Sequence, residues 1–256
     1  MGKHSYLKWF KSRVKRAITD YNMITNGDGV VVGLSGGKDS AVLLDILAKV
    51  RQEVPVNYDL HAVLIHMGWQ MDIDVLEQFC RERGVPFTCK YTDIGEVVFE
   101  YRQDKSPCAL CANLRRGALN NTVRDIGFNK LALGHHIDDV IETFFMSLFY
   151  TGQFKTFSPL TYMDRSGVTL VRPLIYHSGK TVENFRKRYD LPVVKNPCPV
   201  AEDTKRVEMA EIIDYLGGRY PDIRRRFLTA LQSLDTQNLW PLPLNKRRLP
   251  QDNPPQ

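Results

Sequence analysis

The stretch VVVGLSGGKDS, Val30 to Ser40, sets an unbroken apolar run directly before two glycines, a lysine, an aspartate and two serines. The apolar part does not alternate and stops at glycine, which is how a buried parallel strand reads. The spacing of Ala41, Leu43, Leu44, Ile46 and Leu47 then predicts a helix, so the segment is a strand-loop-helix unit. Two common phosphate loops fail by spacing. Val32 stands where G-x-x-x-x-G-K-[ST] needs its first glycine and Asp39 where it needs Ser or Thr, while Ser35 after Gly33-Leu34 breaks G-x-G-x-x-G. Ser35-Gly36-Gly37-Lys38-Asp39-Ser40 nevertheless follows the same physics. Glycines let the backbone approach an anion, N–H groups and the helix's positive end face it, Ser35 and Ser40 add hydroxyls and Lys38 adds charge. Asp39 is a poor phosphate ligand and is assigned to helix capping or Mg²⁺. The bland alternative is a capped glycine turn.

Composition narrows the class. At 256 residues, 43% hydrophobic and 25% charged, the chain suits one large core with small additions. No apolar run approaches the roughly 20 residues of a membrane helix, and the N-terminus lacks the apolar region of a secretory signal, so a cytoplasmic protein without membrane contact is expected. The net charge of +6 comes from clusters: Lys8, Lys11, Arg13, Lys15 and Arg16; Arg186 to Arg188; Arg224 to Arg226; Lys246 to Arg248. Such clusters suit a polyanionic partner, although a solvated basic surface has the same composition. Five cysteines, an odd number, argue against a disulfide framework.

Strand patterns at Val30–Ser35, Leu60–Met67, Pro86–Thr92, Lys130–His135 and Thr169–Ile175 alternate with helical ones. The expected fold is therefore α/β, a doubly wound parallel five-stranded sheet with helices on both faces and helical additions at both ends. Residues 1–27 read as a basic helix packed on the core, 28–200 as the nucleotide-binding α/β domain with an inserted cysteine segment, 201–239 as terminal helices. The end, WPLPLNKRRLPQDNPPQ (240–256), holds five prolines and reads as an extended arm.

LALGHHIDDVIETFFMSLFYTG, Leu131 to Gly152, also passes from a strand into a helix. Loops after the first and fourth strands can face each other at a switch in strand order. Gly134 then allows close approach, Asp138 is placed to cap, and Asp139 projects toward the metal-phosphate region. His135 and His136 should lie on opposite faces, one packed and one exposed, which disfavours a two-histidine metal site. His66, ending the second strand, is a candidate wall of the adenine pocket or an ordinary strand-end histidine.

Ser106-Pro107-Cys108-Ala109-Leu110-Cys111 and Asn196-Pro197-Cys198-Pro199 supply three thiols, Cys108 and Cys198 next to proline, with the proline expected to hold its approach extended. Three sulfurs leave one coordination position open. Zinc completed by a fourth ligand, a [4Fe-4S] cluster with one free iron, and a redox pair all remain open. Cys80 and Cys89 read as core residues.

S-G-G-x-D-S resembles the loop of the PP-loop ATP pyrophosphatases (adenine nucleotide alpha hydrolase-like fold), and G-H-x-x-D-D-x-x-E-T resembles the second motif of their tRNA-modifying members, lysidine synthetases and tRNA thiolases included. CALCANLRRGALNNTVRDIGFNKLALGHHIDD, FFMSLFYTGQ, VRPLIY, NPCP and RYPDIRRRFLTALQSL are similar to the TtcA family of tRNA 2-thiocytidine synthetases, a similarity that runs from about Val30 through Leu234. That resemblance implies ATP bound by Leu34 to Ser40, with His66 and Gly134, and a [4Fe-4S] cluster on Cys108, Cys111 and Cys198. It implies Arg115 or Arg116 between cluster and nucleotide, Asp139 binding Mg²⁺ or steering the base, and tRNA held by surface arginines. Sulfide or a cysteine-desulfurase-derived donor would bring the sulfur; a homodimer is left open. The chain departs from the family where Ala201 replaces the second cysteine of P-C-x-x-C. A lysidine-synthetase-type ligase or amidotransferase with structural zinc, and a nucleotide-responsive RNA-binding protein without turnover, are the competing readings.

Overall fold

A computed structural model describes residues 2–101, 107–194, 198, 205–235, 237 and 239. The elements run α1 (Lys3–Asp20), β1 (Asp28–Leu34), α2 (Lys38–Val50), β2 (Tyr58–His66), α3 (Ile73–Arg81), β3 (Phe87–Tyr91), a short α4 (Ile94–Glu96) continuing into a π-helical turn (Val97–Tyr101), α5 (Pro107–Asp125), β4 (Lys130–Ala132), α6 (Ile137–Thr151), β5 (Leu160–Met163), β6 (Val168–Val171), α7 (Gly179–Arg188), α8 (Lys205–Arg219) and α9 (Ile223–Gln232). The sheet order is β3-β2-β1-β4-β6-β5. Its five expected strands are all parallel, and a sixth, β5, pairs antiparallel with β6 at the edge. LTYM alternates too briefly to stand out as a strand by pattern; the turn at Gly167 (φ +68°) lets it fold back onto β6. The Pro-rich arm, 240–256, lies outside the described residues.

The unbroken apolar run of β1 is explained by burial on both faces. Val30, Val32 and Leu34 point into one core with α1, α2, α6 and α7, while Val31 joins Val63, Leu131 and Leu119 of α5 in a second core on the other face. Phe10, Val14, Ala17 and Ile18 dock α1 on the first of these cores. After β3 the chain crosses to the opposite face through α5 and returns beside β1, so strand order reverses between β1 and β4. Val32 pairs with Ala132, which sets the loops that follow these two strands side by side. Among the described residues, no helix is long and apolar enough to cross a membrane.

Candidate active site

The loop after β1 is built by glycine. Gly36 has φ +78°, and a Cβ there would come within 2.4 Å of Met71 Cε and 3.2 Å of Val194 Cβ. Ser40 Oγ accepts from Ser35 N at 3.1 Å and donates to Gly37 O at 2.9 Å, which ties the loop into a compact turn. Gly37 occupies the N-cap of α2 without a side-chain cap. The first-turn N–H groups of a helix lack intrahelical acceptors, so this end is open to an anion. Asp39 therefore does not cap α2; its carboxylate lies 2.8 and 2.9 Å from Lys38 Nζ.

Two cavities meet at this loop. One, of about 350 Å³, is lined by Ser35, Gly37, His66, Met67, Trp69, Met71 and Phe99 together with Cys108, Cys111, Arg115 and Cys198. The approach to Pro107, residues 102–106, lies outside the described residues. Pro107 opens α5, where its fixed φ suits the first helical position, and places Cys108 and Cys111 one turn apart on one face. Burial raises the Cys111 thiol above its ordinary range; Arg115 opposes, and Cys198 and Cys108 add to the rise. A thiol raised in this way beside two others is a setting that a cationic metal centre relieves. Among the described residues, no three His, Cys, Asp or Glu side chains are already gathered tightly enough to hold an ion. The donor set and its shared cavity fit the cluster in identity.

The second cavity, of about 850 Å³, is lined by Lys38, Asp39, His136, Asp138, Asp139, Glu142, Arg206 and Arg224. Asp139 Oδ2 accepts from His136 N at 2.8 Å, so Asp139, not Asp138, closes the start of α6. Asp138 Oδ2 instead accepts from Gly179 N at 2.6 Å, and its Oδ1 pairs with Arg224. Arg206 Nη1 donates to Asp139 Oδ1 at 3.1 Å and to Glu142 Oε2 at 3.0 Å. Burial, then Asp139, holds Glu142 above the usual carboxylate range.

The PP-loop domain family matches residues 7–208. The chain belongs to that family. It is 37% identical to the tRNA-cytidine(32) 2-sulfurtransferase of Citrifermentans bemidjiense over 90% of this chain and 91% of the relative, and 36% identical to the Geobacter sulfurreducens protein of that name over 93% and 95%. These relatives place it in the TtcA branch. Among solved structures it resembles the U34-tRNA thiolase NcsA of Methanococcus maripaludis with its [4Fe-4S] cluster, at TM-score 0.72 and 26% identity, covering 90% of this chain and 80% of that one.

In this PP-loop protein the expected residues gather unevenly. His66 lines the thiol cavity, its Nδ1 accepting from Gly68 N at 3.2 Å. Leu34 is a core residue that can offer only backbone to a ligand. Gly134 does allow a close approach, but of the protein's own chain: a Cβ there would stand 2.8 Å from the Asp39 carbonyl carbon. Arg115 faces the thiols, whereas Arg116 is exposed and acts electrostatically on buried Arg172, which burial, then Arg116, holds down to about 10. Neither histidine is exposed: His136 is buried, and His135, half-buried against Phe157, is pushed down to about 4 chiefly by burial. Arg224, one of the arginines assigned to RNA, points inward to Asp138 and Asp214. Cys80 is buried with its thiol pushed up to about 12, and Cys89 is half-buried on β3. Glu142 stands in G-H-x-x-D-D-x-x-E-T but was given no role, and Arg206 and the wall of Met71 and Trp69 carried no motif of their own, since one arginine after a cysteine-bearing segment is indistinguishable from a surface charge.

Proposed function

We propose that this chain is an ATP-dependent tRNA thiolase that replaces the C2 oxygen of a cytidine, position 32 by its relatives' names, with sulfur. The observation that carries this reading is the single cavity shared by the nucleotide loop and the three cysteines. The uncapped start of α2 and its glycines receive the pyrophosphate of ATP, with adenosine directed toward His66 and Met67. Attack of the cytosine O2 on the α-phosphate expels pyrophosphate and leaves an AMP ester. Sulfide then displaces AMP, so carbon exchanges oxygen for sulfur without redox change. Arg115, between thiols and loop, balances charge developing on the phosphate. Mg²⁺ would be held by Asp39, whose carboxylate meets Lys38 and, at 3.7 Å, His136. A [4Fe-4S] cluster would be held by Cys108, Cys111 and Cys198, supplying when bound an iron without a protein ligand at which exogenous sulfide can be presented.

The test is incubation of anaerobically reconstituted protein with ATP, sulfide and tRNA. AMP and a thiocytidine, found by mass spectrometry of the digested tRNA, are expected. Full activity in Cys198→Ala, or AMP formation without any thionucleoside, would overturn the reading. Metal analysis separates the zinc-dependent ligase: about four irons per chain are expected, against one zinc for the alternative.

A further inference from the structure

The groove between α1 and α9 takes no part in the chemistry above. Its basic half, a cavity of about 420 Å³, is lined by Arg13 and Arg16 from α1 and by Arg224 and Arg225 from α9, with Asp222 as its carboxylate among the described residues. Its apolar half, of about 660 Å³, is lined by Phe157, Ile175 and Leu231, with Asp20 and Tyr21 at the end of α1. Tyr176, Leu228 and Gln232 line both halves, so the two are continuous. Gln232 Nε2 donates to Tyr21 Oη at 2.9 Å and to Tyr176 Oη at 3.1 Å, which ties α9 to both rings. Ser178 and Arg224 line the basic half and the charged cavity beside the Ser-Gly-Gly loop alike, so the groove runs up to the nucleotide site.

The basic clusters of the sequence are not equivalent. Arg13 pairs with no carboxylate among the described residues; its guanidinium lies 4.5 Å over the Trp9 ring, and its Nη1 donates to Tyr176 O at 3.4 Å. Arg16 and Arg225, both 73% exposed, meet Asp20 at 3.2 Å and Asp222 at 2.9 Å. Exposed pairs of this kind are weak, so a phosphate can take the carboxylate's place. Arg224 is held inward by Asp138 and Asp214, while Arg186 and Lys187 both pair with Glu183 and do not line the groove. Lys246 to Arg248 lie outside the described residues. A nucleotide of an RNA strand joins an anion to a flat, largely apolar base, and a groove that is cationic at one end and aromatic at the other matches that unit. We propose that this groove is the track for the tRNA strand next to the target cytidine, with phosphates on Arg13, Arg16 and Arg225 and a splayed base against Tyr176 and Leu228. Underlying this is the reading that tRNA is the substrate; what is added is the surface that holds it.

The experiment is tRNA binding by the full-length, anaerobically reconstituted protein without ATP, followed by fluorescence anisotropy over a series of salt concentrations. Arg13→Gln and Arg225→Gln should each weaken binding about five- to tenfold near about 0.1 M salt and reduce the salt slope by about one. Both side chains are exposed, and the variants should melt with the parent. Lys187→Gln, outside the groove, should match the parent in binding. With 4-thiouridine placed in the tRNA next to the nucleotide that the relatives' names give, ultraviolet crosslinks should map to peptides carrying Tyr176 or Leu228. Parent-like slopes in both arginine variants overturn the groove, as do crosslinks confined to peptides that do not line it, the result expected if a protein partner occupies it instead. An equal loss of slope in Lys187→Gln overturns it too, since a diffuse basic surface would then suffice. A parent that binds no tRNA sinks the substrate reading along with the groove. Binding with the expected slopes but no thiocytidine formed sinks the chemistry alone.

Discussion

The two cavities that meet at the Ser-Gly-Gly loop differ in kind. The one holding the thiols is walled by Met67, Trp69, Met71 and Phe99, with Arg115 the only arginine among the described residues that line it. The other is walled by carboxylates already matched to Lys38, Arg206 and Arg224. An apolar wall of soft side chains suits a base and sulfur chemistry from which water is kept away, because every charge inside acts more strongly there. A lattice of matched charges suits a metal-bound polyphosphate, because the ligand can exchange one partner for another without leaving a buried ion bare. One loop serving both explains how activation and sulfur delivery can act on the same carbonyl group.

The comparison breaks most sharply at the cysteines. Cys108→Ala, Cys111→Ala and Cys198→Ala should each abolish thionucleoside formation while ATP binding, measured by calorimetry, survives. Asp39→Asn should do the opposite, keeping iron content while lowering kcat/KM by about 10²–10³. If a cysteine variant loses ATP binding, or the Asp39 variant loses iron, the two cavities are not separable. The neighbouring arginines sharpen the point. Arg115→Gln should lower kcat by about 10², whereas Arg116→Gln should raise KM for tRNA and reduce the salt slope of RNA binding by about one. Identical kinetic signatures in the two variants would remove the assignment.

The glycines give smaller effects. Gly36→Ala meets the flexible end of Met71 but must also adopt φ +78°, which costs a non-glycine residue roughly 1–2 kcal/mol. ATP KM should rise about tenfold if that strain falls on the bound loop. In Gly134→Ala the obstacle is the Asp39 backbone, which cannot rotate away, so α2 itself must shift and thermal stability should fall as well. A stable Gly134→Ala protein with unchanged ATP KM would show that the two loops do not need this contact.

The legible part of this protein was the part where one residue type does one job. The double-sided burial of β1, the glycine loop and the C-x-x-C thiols each require particular residues at short spacing, and the structure brings them to one cavity. The illegible part depends on which of several equivalent residues faces inward. Asp138 and Asp139 are adjacent and chemically alike, and only the packing of α7 decides that Asp138 meets Gly179 N while Asp139 turns back onto His136 N. Arg224 and Arg225 are likewise adjacent; the first reaches Asp138 and the second pairs with Asp222 in solvent. The edge strand β5 escaped for a related reason, since four residues with no fully buried side chain leave little pattern.

The far wall of the charged cavity is held by the turn between β6 and α7, and that turn rests on His177. Its ring stacks on Phe10 at 3.8 Å, its Nε2 lies 3.2 Å from Phe10 O, and its carbonyl accepts from Ile137 N at the start of α6. Burial, the larger cause, and nearby Arg13 push His177 down to about 3. A folded value below the unfolded one means that the unfolded chain binds the extra proton first. The contribution to stability is therefore complete above about pH 6.5 and is lost as the pH falls from there toward 3. Within that window each such histidine adds a slope of about 1.4 kcal/mol per pH unit. His177→Phe can keep the stack on Phe10 but cannot take up a proton. Denaturant titrations at a series of pH values should give a shallower fall in stability for the variant than for the parent between pH 6 and pH 4, with a loss of about 1 kcal/mol at neutral pH from the missing Phe10 hydrogen bond. Equal slopes in the two proteins would mean that His177 already titrates normally, and that the wall of the charged cavity is not anchored in the core.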